Sequence, residues 1–223
     1  MIRFSDRLNA LPGYPLAEIP SIKRRLAAAG MDIIDLGAGD NDTPPPPSVV
    51  RAMNAALENP ALSKYGFQQG HFPFREAIAR WVHRRFGHTF DPATEVLPLL
   101  GSKEGLSHLP HAVINPGDVA IVPEPGYQAY IGGALLAGAE PHIVPLRPER
   151  DVLLELDDVP TAVLERARIV FVNYPNNPTA AVATREYLER TVATCRKHGI
   201  LLAYDNAYCA LTYAVYVAPS ISD

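Results

Sequence analysis

The sequence predicts an α/β fold organised on a mainly parallel sheet, and three observations predict it. Short apolar runs of strand length alternate with stretches of helix length along most of the chain. Two of those runs, Ile169–Val172 and Ile200–Ala203, are continuously apolar, the pattern of strands buried on both faces. One stretch, 169–208, reads as a complete strand–helix–strand unit, with Ile169–Val172 and Ile200–Ala203 as strands and Arg185–His198 as the crossover helix.

Residues 1–20 read as an irregular arm with turn chemistry at Pro12-Gly13-Tyr14-Pro15. A short helix is expected over Ser21–Ala29, with Ser21 able to cap it and Gly30 to stop it. Asp32–Leu36 reads as a brief strand before the loop Gly37-Ala38-Gly39-Asp40. The proline run Pro44–Pro47 enforces an extended bridge, and Ser48–Glu58 follows as helix. A loop, Lys64–Gly70, leads into a helix over Arg75–Phe86 that turns Trp81, Val82 and Phe86 to a core. Glu95–Leu100 reads as a strand feeding the turn Gly101-Ser102-Lys103-Glu104-Gly105 and an apolar helix to about Ile114. Val119–Val122, helix Gln128–Ala137 and strand Glu140–Leu146 continue the alternation. Arg147–Asp158 reads as a polar surface connection, and Thr161–Arg168 as a short helix returning to Ile169.

The chain has 223 residues, 48% of them hydrophobic, enough for a sizeable core and one or two domains. A net charge of −4 leaves no basic footprint for nucleic acid. No apolar run reaches the ~18 residues of a membrane span. The N-terminal stretch lacks the apolar core of a signal peptide. The two cysteines, Cys195 and Cys209, have no metal-ligand spacing, so no metal is expected and a reduced, cytoplasmic setting is.

Ligands of open α/β sheets bind beyond the carboxyl ends of strands, so the loops Asn173–Thr179 and Asp205–Tyr208 face one expected site. A carboxylate pairs with a protonated ring nitrogen, and an amide and a phenol donate to a ring oxygen. Asp205, Asn177 and Tyr208 therefore suit a pyridine ring that carries a phenolic oxygen. Taken singly, Asn177 can equally cap the turn before Pro178, and Asp205 can form a strand-end Asx turn. The Gly101–Gly105 turn offers the unpaired N–H groups and positive dipole of a helix start to an anion, with Ser102 adding a hydroxyl and Lys103 a charge. Ser102 as a helix cap explains the same turn without a ligand.

The motif N-Y-P-N-N-P-T at 173–179, followed by D-x-A-Y at 205–208, resembles the class I and II aminotransferases, the fold-type-I group of pyridoxal-phosphate enzymes. The family motif ends in Gly where this chain has Ala180. The resemblance implies a fold-type-I large domain over 46–223, an arm and part of a small domain over 1–45, and pyridoxal 5'-phosphate as cofactor. It implies that Asp205 holds the proton on the pyridine nitrogen, that Asn177 and Tyr208 donate to the ring oxygen, and that Tyr127 of Pro123-Glu124-Pro125-Gly126-Tyr127 stacks on the ring. Ser102 and Lys103 fall in its phosphate cup. Tyr65, in a Y-x-x-x-x-G loop before Phe74-Arg75-Glu76-Ala77-Ile78-Ala79, corresponds to the tyrosine that reaches the neighbouring subunit's phosphate, which implies a homodimer. Gly37 corresponds to a backbone approach to the substrate carboxylate, although a tight turn explains it as well. The arm Gly13-Tyr14-Pro15-Leu16 and the loop Tyr65–Gly70 resemble the LL-diaminopimelate aminotransferase branch, in which Tyr14 lines the substrate pocket. That branch carries Glu where this chain has Gln68, and an uncharged amide pairs poorly with a distal ammonium, which argues against diaminopimelate as substrate.

The family's catalytic lysine, which forms a Schiff base with the cofactor on an S-x-x-K segment, has no counterpart after Tyr208. The four lysines are Lys23, Lys64, Lys103 and Lys197. The expectation is therefore an aminotransferase lacking its C-terminal part, either as a fragment or as a natural truncation, and inactive as it stands. The amino group would pass between an amino acid and a 2-oxo acid. A pyridoxal-phosphate C–S β-lyase on the same scaffold and a non-catalytic remnant remain alternatives. A dinucleotide-binding protein is the weakest, since no G-x-G-x-x-G follows a strand.

Overall fold

Apolar runs too short for helices, each followed by a helical stretch, bury themselves most completely side by side in a parallel sheet with helices on its faces. The computed structural model of the chain has that arrangement. It describes residues 2–222 except 38–40, 42, 66–68 and 214. In chain order, helix α1 spans Asp6–Asn9, α2 Ile19–Ala28, α3 Pro47–Leu57, α4 Phe72–Phe86 and α5 Ser102–Val113. Strand β1 (Val119–Glu124) is followed by α6 (Gln128–Ala137) and β2 (Glu140–Pro145). After α7 (Thr161–Arg166) come β3 (Ala167–Asn173), α8 (Arg185–His198) and β4 (Leu201–Asp205). By their internal contacts these residues form two compact units, one of 1–11 with 69–223 and one of 12–68.

The first unit holds the sheet, in the order β2-β1-β3-β4 with every pair parallel. The chain runs outward from β1 to β2, then returns to the other side of β1 for β3 and β4. The direction of winding thus reverses between β1 and β3, which opens the crevice beyond their carboxyl ends. Alternation along the strands divides the core. Val119, Ile121, Val170 and Val172 pack with Tyr187, Leu188 and Cys195 of α8 on one face. Ala120, Val122, Ile169, Phe171 and Ala203 pack with Tyr130, Ala134 and Ala137 of α6 on the other, where Leu106 and Leu109 of α5 join them. Helix α5 can lie close on α6 because Gly133 has no side chain: a Cβ there would come within 2.9 Å of Ser107 backbone atoms.

Several expectations need correction. Glu95–Leu100 forms no strand: Pro98 lacks an N–H for a ladder, and Leu97, Leu99 and Leu100 are exposed. Asp32–Leu36 forms none either; Ile34 and Leu36 are exposed, and Asp35 is engaged by Lys23 and by the N–H of Gly37 instead. Ser21 lies inside α2, its hydroxyl bonded to the Glu18 carbonyl, rather than at the cap. The connection 147–158 is not all surface. Leu154 and Leu156 are buried, and the main chain of Leu154 is held by two phenols, donating to Tyr174 Oη (2.8 Å) and accepting from that of Tyr187 (2.7 Å). The arm contains α1, capped by the Ser5 hydroxyl. Among the described residues no helix is long and apolar enough to cross a membrane.

Candidate functional site

The site builds from strand ends. β3 finishes at Asn173, which is 2% exposed and whose carboxamide faces two ways. Its Nδ2 donates to the main-chain carbonyl of Asp205 (2.7 Å), and its Oδ1 accepts the N–H of Asn177 (2.7 Å). The loop after β3 is shaped by a second buried amide: Asn176 Oδ1 accepts the N–H and hydroxyl of Thr179. Ala180, where the motif calls for Gly, adopts φ 60°, a left-handed backbone.

β4 ends at Asp205, whose Oδ2 accepts a 2.7 Å hydrogen bond from the Tyr130 hydroxyl of α6. Burial raises the Asp205 carboxyl pKa above its ordinary value, and hydrogen bonds from Tyr130 and the N–H of Ala207 oppose the rise only in part. Tyr130 is fully buried, its ring stacked on Phe171 (4.8 Å, 14°) and met edge-on by Tyr127 (5.8 Å, 80°). Burial and the Asp205 charge drive its phenol far above the ordinary value, with Tyr208 and Tyr127 adding to the effect. Asp205, Tyr127, Tyr130 and Tyr208 thus share one neighbourhood. The Asn206 Oδ1 beside it is buried and finds no hydrogen-bond partner among the described residues.

Across from β4, helix α5 starts at Ser102 after Gly101, whose φ of 100° suits glycine, and no side chain caps it. Ser102 is therefore a first-turn residue, not the cap that sequence reasoning allowed. The Lys103 ammonium lies 5.4 Å from the centre of the Tyr127 ring, a cation–π contact. Tyr127 itself occupies the cap position of α6, at the carboxyl end of β1.

A cleft of about 750 Å³ runs between these elements. Leu97, Leu99, Ser102, Gly105, Leu106, Leu109 and the segment Ala203–Ala207 line it. Ser102 and Asp205 face this one space; Lys103, Tyr127, Asn177 and Tyr208 lie outside its lining and are tied to it through the contacts above. None of the lysines is among the lining residues. Chemically, the cleft lining offers an anion a helix start and a cation a partly desolvated carboxylate. Among the described residues no group of His, Cys, Asp and Glu could hold a metal.

Three expected site residues belong to the second unit. Tyr14 is half exposed, Tyr65 is 81% exposed, and the Gly37 N–H donates to Asp35 Oδ1 at 3.0 Å. Gly66 and Gln68 of the expected substrate loop, and Ala38, Gly39 and Asp40 after Gly37, lie outside the described residues. Sequence reasoning missed Tyr130 and Asn173. The Tyr127–Tyr130 spacing of three was the available signal for the first, since it sets both rings on one side of a helix start.

Comparison with known proteins places this geometry. The sequence pattern of the family described as aminotransferase class I and II matches residues 31–220. An LL-diaminopimelate aminotransferase of Aquifex aeolicus (strain VF5) is 44% identical over 99% of this chain and 57% of its own length. The structure of apo-BacF from Bacillus subtilis superposes with a TM-score of 0.92 at 36% identity, covering 99% of this chain and 56% of that one. A probable N-succinyldiaminopimelate aminotransferase from Thermus thermophilus gives a TM-score of 0.85 at 39% identity, over 92% of this chain and 55% of its own. The chain spans about half the length of these relatives.

Proposed function

The chain belongs to the aminotransferase class I and II family, and from that premise we propose that the whole protein moves an amino group between an amino acid and a 2-oxo acid, using pyridoxal 5'-phosphate. The observation that carries the reading is the pairing of opposites in one cleft. Its lining holds a carboxylate whose burial calls for a cation. It also holds the start of a helix with no side-chain cap, suited to phosphate. Those two features fit a ring that carries a proton at its nitrogen and a phosphate on one arm.

Bound pyridoxal 5'-phosphate supplies an electron sink for the pair released at the substrate Cα. The chain's own residues make that sink work. Asp205 pairs with the ring nitrogen and holds its proton there, since opposite charges in a partly dry site favour one another. Asn177 and Tyr208 donate hydrogen bonds to the ring oxygen, and the Asn173 clasp fixes the Asn177 loop relative to β4. Tyr127 supports the ring by stacking. Ser102, Lys103 and the first-turn N–H groups of α5 bind the phosphate. Tyr65 serves the neighbouring subunit's phosphate in a homodimer, and Tyr14 and Gly37 meet the substrate. The division into an arm and small-domain part over 1–45 and a cofactor-binding domain from 46, and a cytoplasmic setting, belong to the same proposal.

Calorimetric titration of the chain with pyridoxal 5'-phosphate tests it. Asp205→Ala should weaken binding about thirtyfold or more, the cost of removing one partner of a desolvated charge pair. Inorganic phosphate should compete in both proteins. Equal affinity of the two would remove Asp205 from the role. In the whole protein, amino transfer to a 2-oxo acid from LL-diaminopimelate and from glutamate, compared side by side, identifies the donor.

A further inference from the structure

Tyr130 does more in this structure than fill the core. A phenylalanine would serve the stack on Phe171 and the edge contact with Tyr127 equally well. The hydroxyl is what needs explaining. It is fully buried, and burying a hydroxyl costs free energy unless it finds a partner. Its partner is Asp205 Oδ2 at 2.7 Å, 75 residues away in the chain. Two rings, Phe171 and Tyr127, fix the phenol in direction, so the bond is held by packing.

We propose that Tyr130 is the positioning residue for Asp205: its hydroxyl holds Oδ2 and keeps the carboxylate ionised, which leaves Oδ1 to face the cleft as the charged acceptor. The pairing of the two residues stands on geometry alone. What Oδ1 then receives, the protonated nitrogen of a pyridine ring, rests on the aminotransferase reading.

The surroundings explain why the carboxylate needs this help. Burial favours the neutral acid at Asp205, and among the described residues Tyr130 and the N–H of Ala207 favour its charge. From β3, Phe171 gives Tyr130 an apolar surface and Asn173 engages only the main-chain carbonyl of Asp205. From the start of α6 and the loop after β4, Tyr127 and Tyr208 bring further phenols near Tyr130. The ammonium of Lys103 lies over the Tyr127 ring. Without the Tyr130 hydroxyl, Asp205 would take up a proton more readily, and a neutral acid cannot stabilise a pyridinium. The phenol cannot exchange roles, because its proton is held far more tightly than that of any carboxyl.

The experiment is a carboxyl ¹³C NMR titration of the full chain carrying labelled aspartate, with the Asp205 signal identified by its loss in Asp205→Asn. In Tyr130→Phe the Asp205 titration should move up by about one to two pH units, the worth of a hydrogen bond to a charged group. A folded variant with an unmoved titration overturns the proposal. Should the variant fail to fold, the unaltered chain decides: a hydrogen/deuterium isotope shift on the Asp205 carboxyl carbon from the Tyr130 hydroxyl supports the coupling, and its absence overturns it. Affinity for pyridoxal 5'-phosphate in the same proteins separates the two claims. A moved titration with no cofactor bound by either protein overturns the claim that Oδ1 of this chain receives a ring nitrogen and leaves the coupling in place; an unmoved titration with normal binding does the reverse.

Discussion

At Asn173 one carboxamide serves two loops, donating to the carbonyl of Asp205 and accepting from the N–H of Asn177, each at 2.7 Å in a site 2% open to solvent. Asn173→Ala removes both bonds and leaves a buried N–H and carbonyl facing a small void. The expected cost is about 2–3 kcal/mol, read as a lower urea midpoint with an unchanged slope. Cofactor affinity should fall with it, because the Asn177 loop and β4 lose their common tie. A variant as stable as the parent would show that the loops hold each other by other means. This is also the scale at which the sequence said least. Asp205, Asn177 and Tyr208 could be picked out as polar residues at strand ends. Asn173 also ends a strand and Tyr130 stands three residues after Tyr127, but what makes them matter is contact across 32 and 75 residues, which no local pattern reports. Ala180 shows the opposite case: the departure from the motif's Gly is visible in the sequence, and the backbone there is left-handed, a conformation that costs a non-glycine residue about 1–2 kcal/mol.

Among elements, those whose limits are written in their own residues were legible. Helix α8 begins where the Thr184 hydroxyl accepts the N–H of Tyr187 and stops at left-handed Gly199, and the same limits can be read from the residues alone. Strands were legible only where a partner exists. The 32–36 and 95–100 runs have suitable composition but no ladder among the described residues, and composition cannot report a missing neighbour. Helix packing lies between these cases. The approach of α5 to α6 rests on Gly133, and the glycine is plain in the sequence while its purpose is not. Gly133→Ala would drive a methyl group against the main chain of Leu106 and Ser107, which cannot swing aside as a side chain can. The helices must separate, at a cost of about 1–3 kcal/mol. Since Ser102 and Leu106 of α5 line the cleft, the helix start offered to an anion should shift as well. Thermal unfolding and phosphate affinity should therefore fall together. A variant that loses stability while keeping phosphate affinity would show that the helix start is held independently of the α5–α6 contact.

For the whole molecule, the feature that suits the cleft to a cation is also one that folding disfavours when the cleft is unliganded. Asp205 has a folded-state pKa above the ordinary 3.8, with burial as the largest cause. A group raised in this way contributes stability that is complete below its unfolded value and is lost as pH rises through its folded value. At neutral pH the ligand-free chain therefore carries a carboxylate that opposes folding. Asp205→Asn removes the charge while its Oδ1 can still accept from Tyr130. The ligand-free variant should melt a few degrees above the parent between pH 7 and 8, and the difference should close as pH falls toward about 4. Saturating pyridoxal 5'-phosphate should reverse the order, because the parent gains binding energy that the neutral amide cannot match. Scanning calorimetry of both proteins across this pH range, with and without the cofactor, reads all of these outcomes. If the variant melts at or below the parent at pH 7.5 without ligand, the carboxylate is not a burden on the fold, and the inference that the cleft calls for a cation loses its physical ground.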